Sequence, residues 1–133
     1  MIGTRERADR AERQDRLRRS AQYQSEVERY VRDHLTGRIR VADIAELLRM
    51  NASHLNASFK AATGESITSY IQRQKIELAK RLLATRRSLA DIWTELAYCD
   101  QSHFTRQFKR LTGLTPLQYR RALGGQHTES SAV

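Results

Sequence analysis

Residues 51–66, NASHLNASFKAATGES, and residues 100–115, DQSHFTRQFKRLTGLT, are one pattern written twice. A shift of 49 positions lays Ser53, His54, Phe59, Lys60, Thr63 and Gly64 on Ser102, His103, Phe108, Lys109, Thr112 and Gly113. Leu55 then meets Phe104, Ser66 meets Thr115, and Tyr70 meets Tyr119. So dense a match signals a duplicated structural unit. Each copy predicts a short helix. Asn51 and Asp100 are suited to N-caps, because a side-chain oxygen can accept an orphan backbone N–H. Leu55, Phe59 and Ala62 share one face at helical spacing, as do Phe104, Phe108 and Leu111. Gly64 and Gly113 supply the permissive backbone that ends a helix. The opposite face carries Ser53, Asn56, Ala57 and Lys60 in the first copy, and Ser102, Thr105, Arg106 and Lys109 in the second.

The 133 residues make one domain or two very small lobes, and 39% hydrophobic content supports a thin core if it is split. The net charge of +9 favours a polyanionic partner, nucleic acid ahead of an anionic membrane surface. A single cysteine, Cys99, excludes an internal disulfide framework and fits a reducing compartment. No apolar run reaches membrane-spanning length, and the charged N-terminus has no signal-peptide core. The expectation is a soluble intracellular protein.

Around the repeats the chain divides readily. Residues 1–19 form a basic charged arm, rich in Arg with interspersed acids. It can pair charges along a helix but has no stripe to bury, so the expectation is a frayed or disordered segment, with an arm that contacts phosphates or leads from an upstream domain as the functional reading. Residues 20–65 read as a first lobe: an amphipathic helix through Tyr23, Val27, Tyr30, Val31 and Leu35, then VADIAELL at 41–48, then the first repeat helix. Helix, tight turn, helix is the helix-turn-helix arrangement. Residues 66–87 read as a long connector helix with Ile67, Ile71, Leu78 and Leu82 in one stripe. Residues 88–124 read as the second lobe, in which SLADIWTELA repeats the short helix. Its turn carries one extra residue, since Ile44 precedes Ser53 by nine positions and Ile92 precedes Ser102 by ten. Thr115, Pro116 and Gln118 predict a capping box opening the last helix, and Gly124-Gly125 stops it. Residues 125–133 read as a disordered polar tail.

The stretches FKAATGESITSYI, KIELAKRLL and DQSHFTRQFKRLTGLTPLQYR resemble the DNA-binding domain of the AraC/XylS family of bacterial transcription regulators. The resemblance covers about residues 20–123. It implies an all-α fold of about seven helices, in two helix-turn-helix lobes joined by a long central helix. It implies recognition helices at residues 52–62 and 101–112 that enter successive major grooves. By matching position, Ser53, Asn56 and Ala57 would face DNA in the first lobe, and Gln101, Ser102, Thr105 and Arg106 in the second. It further implies a transcription activator that touches RNA polymerase in the bacterial cytoplasm, in the short or excised form without a ligand-sensing domain. Three departures stand out. Trp93 replaces a small residue, Arg49 and Ala97 replace the turn glycine, and Ala57 replaces the arginine usual in the first recognition helix.

Read for chemistry, Arg106 suits bidentate hydrogen bonds to guanine O6 and N7, and Asn56 suits adenine N6 and N7. Lys60, Lys109 and Arg110 suit phosphate contacts, and His54 and His103 suit packing or a phosphate hydrogen bond. The aromatic residues Phe59, Phe104 and Phe108 read as core. Four scattered histidines and one cysteine form no metal set, no glycine-rich phosphate loop occurs, and Asp91 with Glu95 reads as a solvated face. The expectation is therefore no enzyme, no cofactor and no metal. Two tandem lobes with different outward residues imply a monomer on an asymmetric two-part site in double-stranded DNA. The rival reading is a protein-interaction module that binds another regulator or RNA polymerase without gripping DNA tightly; Ala57, Trp93 and Ala97 favour it.

Overall fold

The computed structural model describes residues 2–124. Over these residues the chain forms seven α-helices: α1 (Ile2–Asp33), α2 (Val41–Leu47), α3 (Ala52–Thr63), α4 (Ile67–Leu83), α5 (Leu89–Glu95), α6 (Gln101–Thr112) and α7 (Pro116–Gly124). The expected tail at 125–133 lies outside the described residues. The chain sorts into two compact units. The first takes residues up to Asp33 together with Arg40–Ser69; the second takes His34–Ile39 together with the residues from Tyr70 onward.

The repeat extends to the caps and termini of its helices. Asn51 Oδ1 accepts from the N–H of Ser53 at 2.9 Å and of His54 at 3.2 Å, and Asp100 Oδ1 accepts from His103 N–H at 2.7 Å. Gly64 and Gly113 close the two helices in the left-handed region, at φ 88° and 86°. Thr63 and Thr112 each donate their hydroxyl to the carbonyl four residues back, Phe59 and Phe108, at 2.8 Å. Each hydroxyl also accepts a backbone N–H two residues on. Thr115 and Gln118 form the reciprocal capping box of α7.

In the first unit Val27, Val31, Ile44, Ala45, Leu55, Phe59 and Ile67 are buried. In the second, Ile76, Ala79 and Leu83 from α4 pack with Ile92, Leu96, Tyr98, Phe104 and Phe108. The aromatic rings there meet in series: Tyr98 on Phe104 at 5.1 Å, Phe104 on Phe108 at 5.8 Å, Phe108 edge-on to Tyr119 at 5.4 Å. The expected stripes are one residue too long at each end. Ala62 and Leu111 are exposed, because each helix turns its last apolar position past the core.

Residues 2–19 are helical, in line with α1, rather than a frayed arm. Residues 3–19 are exposed. The segment is nonetheless dense in Arg, Ala, Glu and Gln, which lose little on entering a helix, and it grows from a turn already fixed by Val27 and Val31.

The boundary between the units also differs from the one the sequence implies. His34–Ile39 joins the second unit, and Lys75 explains why. Its side chain is only 8% exposed. The Nζ donates to the carbonyl oxygens of Leu35 at 2.9 Å, Gly37 at 2.8 Å and Leu96 at 2.6 Å. This connector lysine is a buried three-way tie. Arg120 serves the other end of α4 similarly, donating to the carbonyls of Leu83, Thr85 and Arg87.

Trp93 is half-buried against the second core, as its size demands. Its Nε1 is buried without an acceptor among the described residues. Glu95, expected on a solvated face with Asp91, is half-buried and pairs with Arg87.

Two outcomes test this architecture. Lys75→Met leaves three carbonyls without their donor and should lower stability by about 3 kcal/mol. Desolvation also lowers the Lys75 pKa from 10.5 to about 8. The unfolded chain then binds this proton more tightly between pH 8 and 10.5, so the Lys75 contribution grows as pH rises through that window. Thermal melts of wild type and variant should therefore diverge further at pH 9.5 than at pH 7; parallel curves would place the ammonium in water. For Trp93, Ala should cost on the order of 3 kcal/mol through the cavity left behind. Phe keeps most of the volume and removes the orphan donor, so Trp93→Phe should melt no lower than wild type. A large loss with Phe would mean the indole N–H has a partner.

Candidate nucleic-acid interface

What aims α3 and α6 is the turn before each. Leu48 and Leu96 end α2 and α5, and the next residues, Arg49 and Ala97, have φ of 56° and 62°. In the first unit Met50 N–H donates to Ala45 O at 2.8 Å and Arg49 N–H to Glu46 O at 3.1 Å. In the second, Tyr98 N–H donates to Trp93 O and Ala97 N–H to Thr94 O, both at 3.0 Å. These are paired Schellman turns, built without glycine. The positive φ costs about 1 kcal/mol at each non-glycine residue. After the left-handed residue the first unit needs only Met50 before its N-cap, whereas the second has Tyr98 and Cys99. The extra residue of the second repeat is thus Cys99, an exposed thiol outside the turn's hydrogen bonds.

Beyond these turns the outward faces separate into two kinds of residue. On α3, Ser53, His54, Ala57 and Lys60 are exposed. On α6, Gln101, Ser102, Arg106, Lys109 and Arg110 are exposed. Arg106 has no hydrogen bond or ion pair to any described residue, so its guanidinium fork is available. Arg110 is partly engaged, donating from Nη2 to Gln72 Oε1 at 2.9 Å. His103 is half-buried and stacks edge-on to Tyr98 at 5.3 Å, which makes it a packing residue first.

Asn56 is the main correction. It is half-buried, and its Oδ1 accepts the Ile67 N–H at 2.9 Å. That N–H is one of the orphan donors opening α4. Bidentate pairing to adenine would call on this same oxygen to accept from N6, so a reading role for Asn56 competes with its capping of α4. The duplicate clarifies the difference. Thr105 stands at the position of Asn56, and Pro116 stands at that of Ile67. Proline has no N–H, so the second unit requires no cap there.

Sequence reasoning missed two features. Gln107 is buried on α6 and accepts a short hydrogen bond from the Tyr98 hydroxyl. Burial raises the Tyr98 pKa far above its ordinary value, so the hydroxyl stays a donor. The second feature is a groove of about 500 Å³ in the first unit. It is lined by Arg16, Arg19, Ser20 and Tyr23 of α1 and by His54, Ala57 and Ser58 of α3. The residues 16, 19, 20 and 23 have one-face helical spacing, which was legible but carried no apolar signal. Among the described residues no helix is long and apolar enough to cross a membrane.

Comparison with known proteins gives a consistent picture. Residues 44–122 match the family described as "Helix-turn-helix domain". The chain is 33% identical to the arabinose operon regulatory protein of Escherichia coli over 93 residues, which is 68% of this chain and 32% of that one. It is 32% identical over 108 residues to the HTH-type transcriptional activator AarP of Providencia stuartii, 77% of this chain and 80% of AarP. Against several further curated relatives it spans between 23% and 39% of their length. The fold superposes with a TM-score of 0.72 on a Chromobacterium violaceum regulator described as AraC-type, at 20% identity, over 78% of this chain and 94% of that one.

The cap assigned to Asn56 makes a separable prediction. Asn56→Ala should cost about 1 kcal/mol in thermal or urea unfolding. It should leave unchanged the sequence selected from a random DNA pool; a base position that loses its preference would return Asn56 to the readers.

Proposed function

The chain belongs to the AraC family of helix-turn-helix transcription regulators, and on that premise we propose that it binds a specific site in double-stranded DNA. In this reading it acts as a monomer, with α3 and α6 entering major-groove segments about a helical turn (~10 bp) apart on an asymmetric site. The observation that carries the proposal is the outward row of α6. Gln101, Ser102, Arg106 and Lys109 are exposed on one capped helix, and Arg106 is unpaired among the described residues. A free planar fork on such a helix suits guanine O6 and N7. Lys60 and Lys109 at equivalent positions suit backbone phosphates that set the register.

Activation is the regulatory sense favoured by analogy with AarP, whose name describes an activator. Contact with RNA polymerase belongs to the same reading. The rival interaction module loses two of its three supports. Trp93 turns toward the core instead of offering a surface, and Ala97 adopts the turn geometry a glycine would. Only Ala57 remains, and it touches the first unit alone.

Selection from a random pool tests the proposal. Wild type should yield an asymmetric consensus, with discrimination concentrated in the half read by α6. Arg106→Ala should lose about 1–3 kcal/mol on that site, little on random DNA, and relax one base position. Lys109→Ala should weaken both alike. If six or so phosphates are neutralised, log K against log[salt] should slope by roughly −5. A palindromic consensus, or affinity flat in salt, would overturn this function.

A further inference from the structure

The groove between α1 and α3 is cationic on one wall and open on the other because residue 57 is small. Arg16 and Arg19 stand on the α1 wall; His54, Ala57 and Ser58 form the α3 wall. Ala57 is exposed and is shared between the groove and the outward face of α3. In the duplicate, the position of Ala57 is held by Arg106. The two units thus place arginine beside the same point of their recognition helices by different routes. The second carries it on the helix itself. The first leaves a methyl group there and brings two guanidinium groups alongside from α1.

Both arginines are exposed. Arg19 Nε makes a long 3.4 Å hydrogen bond to Asp15 O, which leaves its terminal nitrogens open to other acceptors. Ser20 adds a hydroxyl and Tyr23 a half-buried ring at the floor. A serine hydroxyl and two guanidinium forks around a solvent-open trough form a donor set for an anion with several oxygens. They are poorly suited to base edges, which would demand a flat approach deep in the major groove.

We infer that the α1 groove is a phosphate-binding wall: when α3 lies in the major groove, Arg16 and Arg19 take the DNA backbone phosphates that border it. This rests on the DNA-binding reading above and deepens it, because it adds α1 to the contact surface of the first unit. It also gives the otherwise exposed Arg-rich segment of α1 a task in binding, in place of the arginine missing at position 57. Such contacts fix register and add affinity without sequence information.

The experiment uses the full chain with its selected duplex and a random duplex of equal length. Affinity is measured by fluorescence anisotropy across a salt series, for wild type, Arg16→Gln/Arg19→Gln, and a control pair, Arg5→Gln/Arg7→Gln, about three helical turns upstream on α1. All four positions are exposed, so melting temperatures should coincide and report intact folding. The groove pair should bind both duplexes about tenfold more weakly or worse, with the salt slope reduced by roughly 2 and the selected consensus unchanged. The control pair should lie close to wild type. Equal losses for both pairs would reduce the effect to net charge and overturn the assignment. An unchanged groove pair would also overturn it while wild type still binds DNA. Tighter binding by that pair would overturn it too, by showing that α1 shields α3. Wild type failing to bind either duplex would instead sink the DNA-binding function itself.

Discussion

Two residues held in the left-handed region, Arg49 and Ala97, set the geometry on which both units depend. Each stops a two-turn helix, redirects the chain within one or two residues, and delivers an N-cap that starts the next helix. Neither α2 nor α5 is long enough to be stable alone, so their ends must be closed by tertiary structure and Schellman bonds. The strain is modest against what it secures. Without the turn, Leu55 and Phe59, or Phe104 and Phe108, could not reach the core while their neighbours face outward. The fold accepts a backbone cost at the one point that decides where the outward faces point.

Much of this was legible in the sequence. The 49-residue repeat, the caps at Asn51, Asp100 and Thr115, and the terminating glycines fixed the helices because each rests on local chemistry. The resemblance marked Arg49 and Ala97 as replacements of a turn glycine; that both keep the left-handed backbone is a finding of the structure. What the sequence hid depends on partners distant along the chain. Lys75 looked like any connector lysine; only folding brings Leu35, Gly37 and Leu96 around it. Asn56 looked like a reader because its helix face is right, yet an N–H eleven residues away claims its oxygen. The α1 arm misled in the opposite sense, since lack of a stripe to bury does not prevent a helix from continuing once a neighbouring turn is packed. Helical spacing foretold which residues of α3 and α6 are exposed, and the charge of the arm suggested phosphate contact, but the groove that brings Arg16 and Arg19 beside α3 depends on packing distant along the chain.

The two units use a shared scaffold for unequal tasks. Their cores, hydroxyl-to-carbonyl bonds and C-caps correspond closely, while their outward residues differ in reach. α6 carries Gln101, Arg106, Lys109 and Arg110, and α3 carries Ser53, His54, Ala57 and Lys60. Long side chains can span a groove; short ones require the backbone to come close or a neighbouring element to assist. This contrast follows from side-chain length alone.

Pro116 has a consequence for how the two helices can change over time. Because it donates no hydrogen bond, position 105 carries no capping duty toward the following helix. Position 56 has no such freedom, for nearly any replacement uncaps α4. Diversification of the DNA site should thus proceed more readily through the second unit. In the first, new preferences would have to arise around a fixed amide, at exposed positions 53 and 57. A single imino acid thus leaves the two halves of a duplicated scaffold under unequal local constraint.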